Sequence, residues 1–228
     1  MIGIIASMDE ELEFIKKNMV NTQVKKITNS EYFIGSVGSN DVVLVKCYTG
    51  KVHMALTAQK LIDNFDVDVL INCGVAGGLK DGIKVGDVVF AENTLQTDMD
   101  VTMLGYEEGV IPDIDKKYFA QAEYINDKAR KFADGYDFDV FFGNILTADK
   151  FVSNKKDKEY LIENFNGYCT DMETAALAQV CYVNGIDFAG IRGISDGADE
   201  GAKSDFRENL KKASDNCAVA LLDVIKSL

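Results

Sequence analysis

The stretch Ile186-Asp-Phe-Ala-Gly-Ile-Arg-Gly-Ile-Ser-Asp-Gly-Ala-Asp199 combines an apolar run with a polar ending. Its residues 188–194 predict a buried strand, and Asp196 follows at the carboxyl end of that strand. Open α/β sheets bind their ligands at the carboxyl ends of their strands, so Asp196 is a candidate site residue. Arg192 lies inside the same strand, and burying a guanidinium is costly without an anionic partner. The sequence therefore predicts that a carboxylate from elsewhere in the chain pairs with Arg192.

The overall composition is typical of one α/β domain. The chain has 228 residues, 47% of them hydrophobic, which is enough to bury a full core. A net charge of −13 without a basic stripe argues against nucleic-acid and anionic-membrane partners. The sequence contains no run of 18 apolar residues, so no membrane span is predicted. The opening residues Met1-Ile-Gly-Ile-Ile-Ala-Ser7 lack a basic region and predict a first strand rather than a signal peptide.

Cysteine and histidine usage points to a cytoplasmic protein without a metal site. The five cysteines, at positions 47, 73, 169, 181 and 217, are widely spread and form no C-x-x-C motif. Most fall in apolar runs, so we expect reduced core residues in a cytoplasmic protein. His53 is the only histidine and opens a predicted helix. A single histidine excludes most metal sites, and we expect His53 to lie on the helix face rather than to act in catalysis.

Strand and helix patterns alternate along the chain. Strands are predicted at 1–6, 23–28, 32–37, 42–47, 67–73, 86–92, 139–146, 168–171 and 188–194. Helices are predicted at 8–19, 52–64, 116–133, 155–164, 172–184 and 206–227, and a loop-like region extends through residue 112. This alternation predicts a mainly parallel or mixed sheet with helices on both faces. No linker divides the chain, so residues 1–228 are expected to form a single domain.

Two glycine-containing stretches do not fit nucleotide-binding motifs. Gly74-Val-Ala-Gly-Gly78 is predicted to form a turn after a strand, but Ala76 occupies the second glycine position of G-x-G-x-x-G. Gly50-Lys51 lacks the flanking residues of a phosphate-binding P-loop. The glycines still indicate that a ligand or another backbone segment approaches closely at 74–78.

Glu11 is a candidate general base near the start of the first predicted helix. Its helical neighbours Met8, Phe14 and Ile15 place it against apolar surface. A carboxylate in such surroundings tends to have a raised pKa, which a general base needs. The alternative is structural, because the acidic run 9–11 would also stabilise a helix N-terminus.

Two more acids lie where the predicted strand 168–171 meets a small-residue helix. Asp171 fits a plain N-cap. Glu173 is followed by alanines, which imply tight packing of this helix on the sheet. With Glu11 and Asp196, Glu173 would form a cleft that holds three carboxylates and supplies Arg192 with its partners.

Six motifs occur in the order found in a known enzyme family. They are Gly3-Ile-Ile-Ala-Ser-Met-Asp-Glu-Glu11, Asn72-Cys-Gly-Val-Ala-Gly-Gly78, Val85-Gly-Asp87, Asp98-Met-Asp-Val-Thr102, Asp171-Met-Glu-Thr-Ala175 and Arg192-Gly-Ile-Ser-Asp196. Nearly the whole chain resembles bacterial 5′-methylthioadenosine/S-adenosylhomocysteine nucleosidases of the purine nucleoside phosphorylase superfamily. The resemblance implies a nucleoside phosphorylase-like α/β/α sandwich of three layers around a mixed β-sheet. It also implies a homodimer that hydrolyses the N-glycosidic bond to adenine without a cofactor, as in methionine salvage.

The resemblance also implies catalytic roles. Asp196 matches the general acid that donates a proton to N7 of adenine, and Ser195 holds it in place. Glu11 matches the base that directs a water at the anomeric carbon, with Arg192 near that water. Glu173 matches the carboxylate that binds the ribose hydroxyls.

Further positions match the family's substrate contacts. Met172 would pack on the sugar, Phe151 would stack on adenine, and the backbone of Val152 would recognise the Watson–Crick edge. Other implied binding residues are Val75, Ala76, Gly77 and Asp171. The implied 5′-alkylthio pocket consists of Met8, Thr49, Val101, Leu104, Tyr106, Pro112 and Phe206. Residues 101–112 are the stretch that, in the family, reaches into the partner subunit's site.

A nucleoside phosphorylase is the closest rival interpretation. Phosphate as the nucleophile needs cationic clamps, usually arginines with bidentate geometry. The chain has three arginines: Arg130 and Arg207 lie in predicted helices, and Arg192 is already assigned. A water nucleophile therefore fits the sequence better.

Three positions depart from the family pattern. Val75 replaces a frequent serine, Thr97 a frequent histidine, and Thr49 a frequent aliphatic residue. These changes bear on rate and on preference among 5′-substituents rather than on reaction class. Two alternatives stay open: a related nucleosidase for 5′-deoxyadenosine or aminofutalosine, and a non-catalytic nucleoside-binding protein.

Overall fold

Strands and helices alternate throughout residues 1–228, all of which the computed structural model describes. The strands are β1 (Ile2–Ala6), β2 (Val20–Ile27), β3 (Ser30–Val37), β4 (Asn40–Lys46), β5 (Val69–Gly78), β6 (Val88–Gln96), β7 (Phe119–Ala120), β8 (Val140–Thr147), β9 (Gly167–Asp171) and β10 (Asp187–Asp196). The helices are α1 (Asp9–Lys17), α2 (Lys51–Asn64), α3 (Glu123–Phe132), α4 (Lys155–Phe165), α5 (Thr174–Asn184) and α6 (Ala202–Ser227). Short 3₁₀ turns occupy Thr102–Leu104 and Ala133–Gly135.

All ten strands belong to one mixed sheet. Its order is β10-β6-β8-β9-β5-β1-β4-β3-β2, and β7 pairs with β6. Because β5 also pairs with β10, the strands β5, β10, β6, β8 and β9 form a closed ring of pairings. The last strand in sequence, β10, therefore lies between β5 and β6, where both of its edges are paired.

Helices cover both faces of the sheet, which confirms the predicted three-layer α/β/α architecture. Alternate side chains of β1 enter different cores: Ile4 packs with α1, α3 and α6, whereas Ile5 packs with α2 and α5. A strand covered on both faces needs apolar residues at every position, and all of β1 is buried. None of the helices has the combined length and apolar character that crossing a bilayer requires.

Three element predictions were wrong in detail. The glycine-rich 74–78 stretch is no turn but the second half of β5, where it pairs with both β9 and β10. The predicted helix 116–133 begins only at Glu123, because Phe119 and Ala120 pair with β6 as β7. The final helix begins at Ala202, four residues before the predicted start.

The register of three strands gathers acids at one edge of the sheet. Gly77 near the end of β5 is aligned with Asp196 of β10 on one side and with Thr170 of β9 on the other. Strand β9 ends one residue later, at Asp171. The polar ends of β9 and β10 therefore meet beside the glycines of β5.

Candidate active site

A cavity of about 200 Å³ opens where β5, β9 and β10 end. Four carboxyl side chains line it: Glu11 from the first turn of α1, Asp171 from β9, Glu173 before α5, and Asp196 from β10. All four residues are buried. The three acids that the sequence placed in one cleft are thus brought together, and Asp171 joins them.

Most of the predicted binding residues line the same cavity. Val75, Ala76 and Gly77 of β5 contribute to its wall, and Ser195 lies beside Asp196. Further wall residues come from loops and helix starts: Met8, Thr49, Phe151, Val152, Met172 and Phe206. The ring of Phe151, which is 46% exposed, meets the ring of Phe206 edge-on at 5.9 Å between centroids.

Five predicted residues do not line this cavity. Val101, Leu104, Tyr106 and Pro112 lie in the segment between β6 and β7, and Leu104 is 74% exposed. Their assignment to the partner subunit's cavity stays a prediction. Arg192 is the fifth, and it is fully buried behind the cavity wall.

Ser7, Lys150 and Thr170 line the cavity but were missed. Ser7 directly follows β1 and precedes the helix that carries Glu11, and this position was the only indication in the sequence that it belongs to the site. Lys150 is ion-paired with Asp157 at 2.6 Å. The buried Thr170 hydroxyl has no hydrogen-bond partner within the protein.

Glu11 is held by three backbone N–H groups. Its Oε2 accepts from Ser7 N at 2.7 Å and Met8 N at 3.0 Å, which closes the N-terminus of α1. Its Oε1 accepts from Val75 N of β5 at 3.0 Å. Burial raises the pKa of Glu11, while Arg192 and the three N–H groups act against that rise. The helix-capping role and the cavity-lining role are therefore filled by the same carboxylate, and the predicted direction of its pKa shift is confirmed.

Arg192 pairs mainly with Asp171, a partner that the sequence prediction did not choose. Its Nε and Nη2 lie 2.7 and 2.6 Å from Asp171 Oδ2, and Nη2 also bonds Thr174 Oγ1 at 3.0 Å and Asn72 Oδ1. Glu173 Oε2 is farther, at 3.7 Å. Burial disfavours the charged guanidinium, but the adjacent carboxylates outweigh it and raise the pKa of Arg192.

Of the three cleft acids that were expected to supply partners for Arg192, only Glu173 lies within ion-pair distance, and Glu11 and Asp196 do not pair with it. Asp196 is satisfied by other groups, because Oδ2 accepts from Ser195 Oγ at 2.8 Å and Oδ1 from Ala198 N at 2.9 Å. The N-cap prediction for Asp171 was wrong, because α5 begins at Thr174 and its N-cap residue is Glu173. Asp171 Oδ2 nevertheless accepts from Thr174 N, the first residue of α5, at 3.1 Å. One carboxylate thus bonds the start of α5 and neutralises the guanidinium.

The surroundings of Asp196 favour its protonated form. The side chain is almost fully enclosed, and burial raises the pKa of Asp196 above its ordinary value. The bonds from Ala198 N and Ser195 Oγ act in the opposite direction. A raised pKa moves the carboxyl toward the protonated form that a general acid needs.

Glu173 is hydrogen-bonded to the segment that precedes α2. Its Oε1 accepts from Gly50 N, at the start of α2, at 2.9 Å. Burial raises the pKa of Glu173 to about 7, although Arg192 favours the ionised form. The carboxyl therefore titrates close to neutrality.

The predicted placement of His53 on a helix face and of the cysteines in the core is confirmed. His53 is exposed on α2, and its Nδ1 lies 3.1 Å from Thr49 O. All five cysteines are free and buried. No group of three or more His, Cys, Asp or Glu side chains is arranged to hold a metal ion.

Comparisons with known proteins place this geometry in a family. The model of the phosphorylase superfamily matches residues 1–226. A 5′-methylthioadenosine/S-adenosylhomocysteine nucleosidase of Exiguobacterium sp. is 38% identical over 100% of this chain and 98% of its own. The Neisseria meningitidis nucleosidase of the same name, solved with methylthio-immucillin-A, superposes with a TM-score of 0.96 at 33% identity, covering 100% and 99% of the two chains.

A Helicobacter pylori structure described as futalosine hydrolase is also similar. It has a TM-score of 0.94 and 29% identity, with coverage of 100% of this chain and 97% of its own. These matches extend over the entire sheet and the cavity described above. The chain belongs to the phosphorylase superfamily and, within it, to the family of 5′-methylthioadenosine/S-adenosylhomocysteine nucleosidases.

Proposed function

We propose that this protein hydrolyses the N-glycosidic bond of 5′-methylthioadenosine and S-adenosylhomocysteine, releasing adenine and the 5-thioribose product. The proposal is carried by one observation: three buried carboxylates, Glu11, Glu173 and Asp196, face one cavity with different hydrogen-bond partners. Family membership supports the reaction, and the cavity supports the assignment of roles.

Asp196 acts as the general acid. A neutral purine is a poor leaving group, so protonation of N7 helps it accept the electrons of the breaking C1′–N9 bond. The raised pKa of Asp196 favours the protonated form, and Ser195 and Ala198 fix the orientation of the carboxyl group. General acid catalysis of this kind contributes roughly 10²–10⁴-fold.

Glu11 acts as the base for the attacking water. As the glycosidic bond breaks, positive charge develops on the sugar, as in other glycoside cleavages. The water oxygen bonds to C1′ and gives a proton to Glu11. Three N–H donors hold Glu11 in a fixed place, and Arg192 orders this region from behind the wall without lining the cavity.

Glu173 binds the ribose hydroxyls, and aromatic and thioether side chains complete the pocket. An ionised carboxylate accepts hydrogen bonds from two neighbouring hydroxyls. Met172 and Phe151 line the cavity and supply apolar surface for the sugar and the base. The backbone of Val152 is the candidate group for the Watson–Crick edge of adenine.

Water is the nucleophile because the cavity offers no arginine clamp for phosphate. Arg130 is on the surface of α3 with Glu92 3.6 Å away, Arg207 is exposed on α6, and Arg192 is taken up by Asp171. Lys150 is the single cationic side chain in the wall, and Asp157 neutralises it. Phosphate recognition usually needs several such donors.

The active assembly is proposed to be a homodimer in which residues 101–112 complete the partner's alkylthio pocket. Met103 and Leu104 are 96% and 74% exposed, and Tyr106 is 37% exposed. Adjacent exposed apolar side chains of this kind mark an interaction surface.

The decisive experiment is adenine release from 5′-methylthioadenosine by the purified protein, with and without phosphate. The sugar product is assayed as free 5-methylthioribose and as its 1-phosphate. Free sugar formed at a phosphate-independent rate is the expected result. Strict phosphate dependence would establish a phosphorylase instead, and an absence of adenine would leave a nucleoside-binding protein or another substrate.

A second candidate substrate is aminofutalosine. Its support is the similar fold of the structure described as futalosine hydrolase, together with the hydroxyl that Thr49 adds to the cavity. A direct comparison of kcat/KM for 5′-methylthioadenosine, S-adenosylhomocysteine, 5′-deoxyadenosine and aminofutalosine separates these substrates. We expect the thio-nucleosides to be preferred.

A further inference from the structure

Asp98, the first residue of the motif 98–102, has no role in the proposed reaction, yet its side chain lies at the centre of a polar network beside the cavity. Asp98 Oδ1 is ion-paired with Lys51 Nζ at 2.6 Å, and Oδ2 accepts from Asp149 N at 3.0 Å. Asp149 Oδ1 in turn accepts from Lys51 N at 2.9 Å. Asp98 therefore joins the loop that follows β8 to the first residue of α2.

The network ends at the ribose carboxylate. Lys51 is preceded by Gly50, whose N–H donates to Glu173 Oε1 at 2.9 Å in a buried setting. The side-chain bonds of Asp98 and Asp149 fix Lys51 at both its backbone nitrogen and its ammonium group. The direction of the adjacent Gly50 N–H is thereby set by residues that do not themselves line the cavity.

Gly50 itself has an unusual conformation that this arrangement explains. Its φ is +101°, and a Cβ there would lie 3.1 Å from Asp149 Oδ1. A side chain at position 50 would therefore be strained by the backbone angle and would crowd the carboxylate that holds Lys51. Glycine allows the tight approach.

We propose that Asp98, with Lys51 and Asp149, is a positioning residue that holds the Gly50 N–H against Glu173 and so sets how firmly the site binds the ribose hydroxyls. The inference rests on the proposed function, since it assigns a support to the ribose-binding carboxylate. It also gives a physical reason for an aspartate at position 98.

The hydrogen bond from Gly50 N–H also affects the pKa of Glu173. Glu173 is also faced by Arg192 of β10, Asp171 of β9, Glu11 of α1 and the Cys47 thiol after β4. Of these, only Arg192 favours the ionised carboxylate, and the Gly50 N–H is the second group that does so. Weakening this N–H bond must raise the pKa of Glu173 further.

The test uses Asp98→Ala, which removes both contacts of the carboxylate, and Asp98→Asn, which keeps an oxygen for one of them. For Asp98→Ala we expect KM for 5′-methylthioadenosine to rise about tenfold, the loss that one weakened buried hydrogen bond produces, with a smaller change in kcat. The acidic limb of the pH profile of kcat/KM should move to higher pH by about half a unit or more. For Asp98→Asn, KM and the acidic limb should lie between those of Asp98→Ala and the wild type. The affinity for adenine, which has no ribose, should not change in either variant.

Asp215→Asn is the matched control, because it removes an ion pair with Lys211 on α6 that does not line the cavity. It should leave KM and the pH profile unchanged. The proposal is overturned if Asp98→Ala keeps the wild-type KM and acidic limb. It is equally overturned if kcat and thermal stability fall together while the limb stays in place, because that pattern indicates a merely structural role.

Failure of the proposed function would be visible separately, as an absence of adenine release by the wild type. The same variants would then be compared by calorimetric binding of the unhydrolysed nucleoside. A weaker affinity for 5′-methylthioadenosine in Asp98→Ala, with unchanged affinity for adenine, would still support the positioning role, and equal affinities would refute it.

Discussion

Burial raises the pKa of Glu11, Glu173 and Asp196, but their hydrogen-bond donors differ in number. Glu11 accepts three backbone N–H bonds, whereas Asp196 accepts one N–H and one hydroxyl. Bonds from N–H groups stabilise the ionised carboxylate. The donor count therefore supports the proposed roles of Glu11 as the base and Asp196 as the acid.

The role of Asp196 as the general acid can be tested by removing its proton. Asp196→Asn keeps the shape of the side chain and removes the proton that is donated to the purine. Adenine release should fall by roughly 10²–10⁴-fold, while the affinity for 5′-methylthioadenosine stays within a few-fold of the wild-type value. Turnover is measured by adenine formation and affinity by calorimetry.

Asp187→Asn, at the exposed opposite end of the same strand, serves as the control and should retain activity. A parallel loss of binding and turnover in Asp196→Asn would instead assign Asp196 a structural role.

The raised pKa of Glu173 makes the stability of the fold depend on pH. A carboxyl whose pKa is raised from 4.5 unfolded to about 7 folded stabilises the fold fully below the unfolded value, and this contribution is lost as the pH rises through 7. Glu173→Gln removes the titration. As the pH rises from 4.5 to about 7, the free energy of unfolding of the wild type, relative to that of Glu173→Gln, should therefore decrease by on the order of 1–3 kcal/mol.

Thermal and denaturant unfolding across this pH range provide the measurement, with Glu163→Gln on the exposed face of α4 as the control. KM for 5′-methylthioadenosine should also rise roughly tenfold, because the ribose loses its charged acceptor. A stability difference that stays flat with pH would show that Glu173 does not titrate as described.

At the scale of elements, the second half of β5 is the most constrained segment of the site. A Cβ on Gly74 would lie 2.3 Å from Arg192 Nη1 and 2.7 Å from Glu11 Oε1. Both groups are buried and already bonded, so neither has room to move away. Strand β5 must carry glycine here for the base and the guanidinium to approach each other.

Gly74→Ala should therefore impair both folding and catalysis. We expect a loss of about 1–3 kcal/mol in the free energy of unfolding, typical of overpacking, and at least a tenfold lower kcat as Glu11 is displaced. The control is Gly135→Ala, where a Cβ would meet nothing within 4 Å. A Gly74→Ala protein with wild-type kcat would contradict the described role of β5.

The element pattern and the carboxylates of the site could be predicted from the sequence, whereas the partners could not. Apolar periodicity marks β1, β5 and β10, and motif resemblance marks Glu11, Glu173 and Asp196. The partner of Arg192 depends on how β9 and β10 are placed across the sheet, which local sequence does not encode. The glycines at 74–78 predicted a turn because glycine is favoured there, and only the pairing of β5 on both sides makes them strand.

At the scale of the whole molecule, the proposed homodimer makes the alkylthio pocket a shared structure. Leu104→Asp places a charge within residues 102–107, the exposed part of the 101–112 segment. We expect the variant to dissociate to monomers and its KM for 5′-methylthioadenosine to rise about tenfold or more, since an apolar wall is lost.

Light scattering after size-exclusion chromatography measures the mass, and kinetics at two protein concentrations link mass to KM. Val24→Asp, on the exposed strand β2, is the control and should keep both properties. A monomeric wild type with full activity would contradict a shared pocket.

The place of β10 in the sheet also has a consequence for synthesis of the chain. This strand is the last to be made, yet it pairs with β5 and β6 and contributes Arg192 and Asp196. A nascent chain that ends before β10 carries two unpaired strand edges in its centre and no neutralising cation beside Asp171. Such long-range pairing slows folding and exposes intermediates to aggregation. The cavity can be completed only after β10 and the residues up to Phe206 have been synthesised.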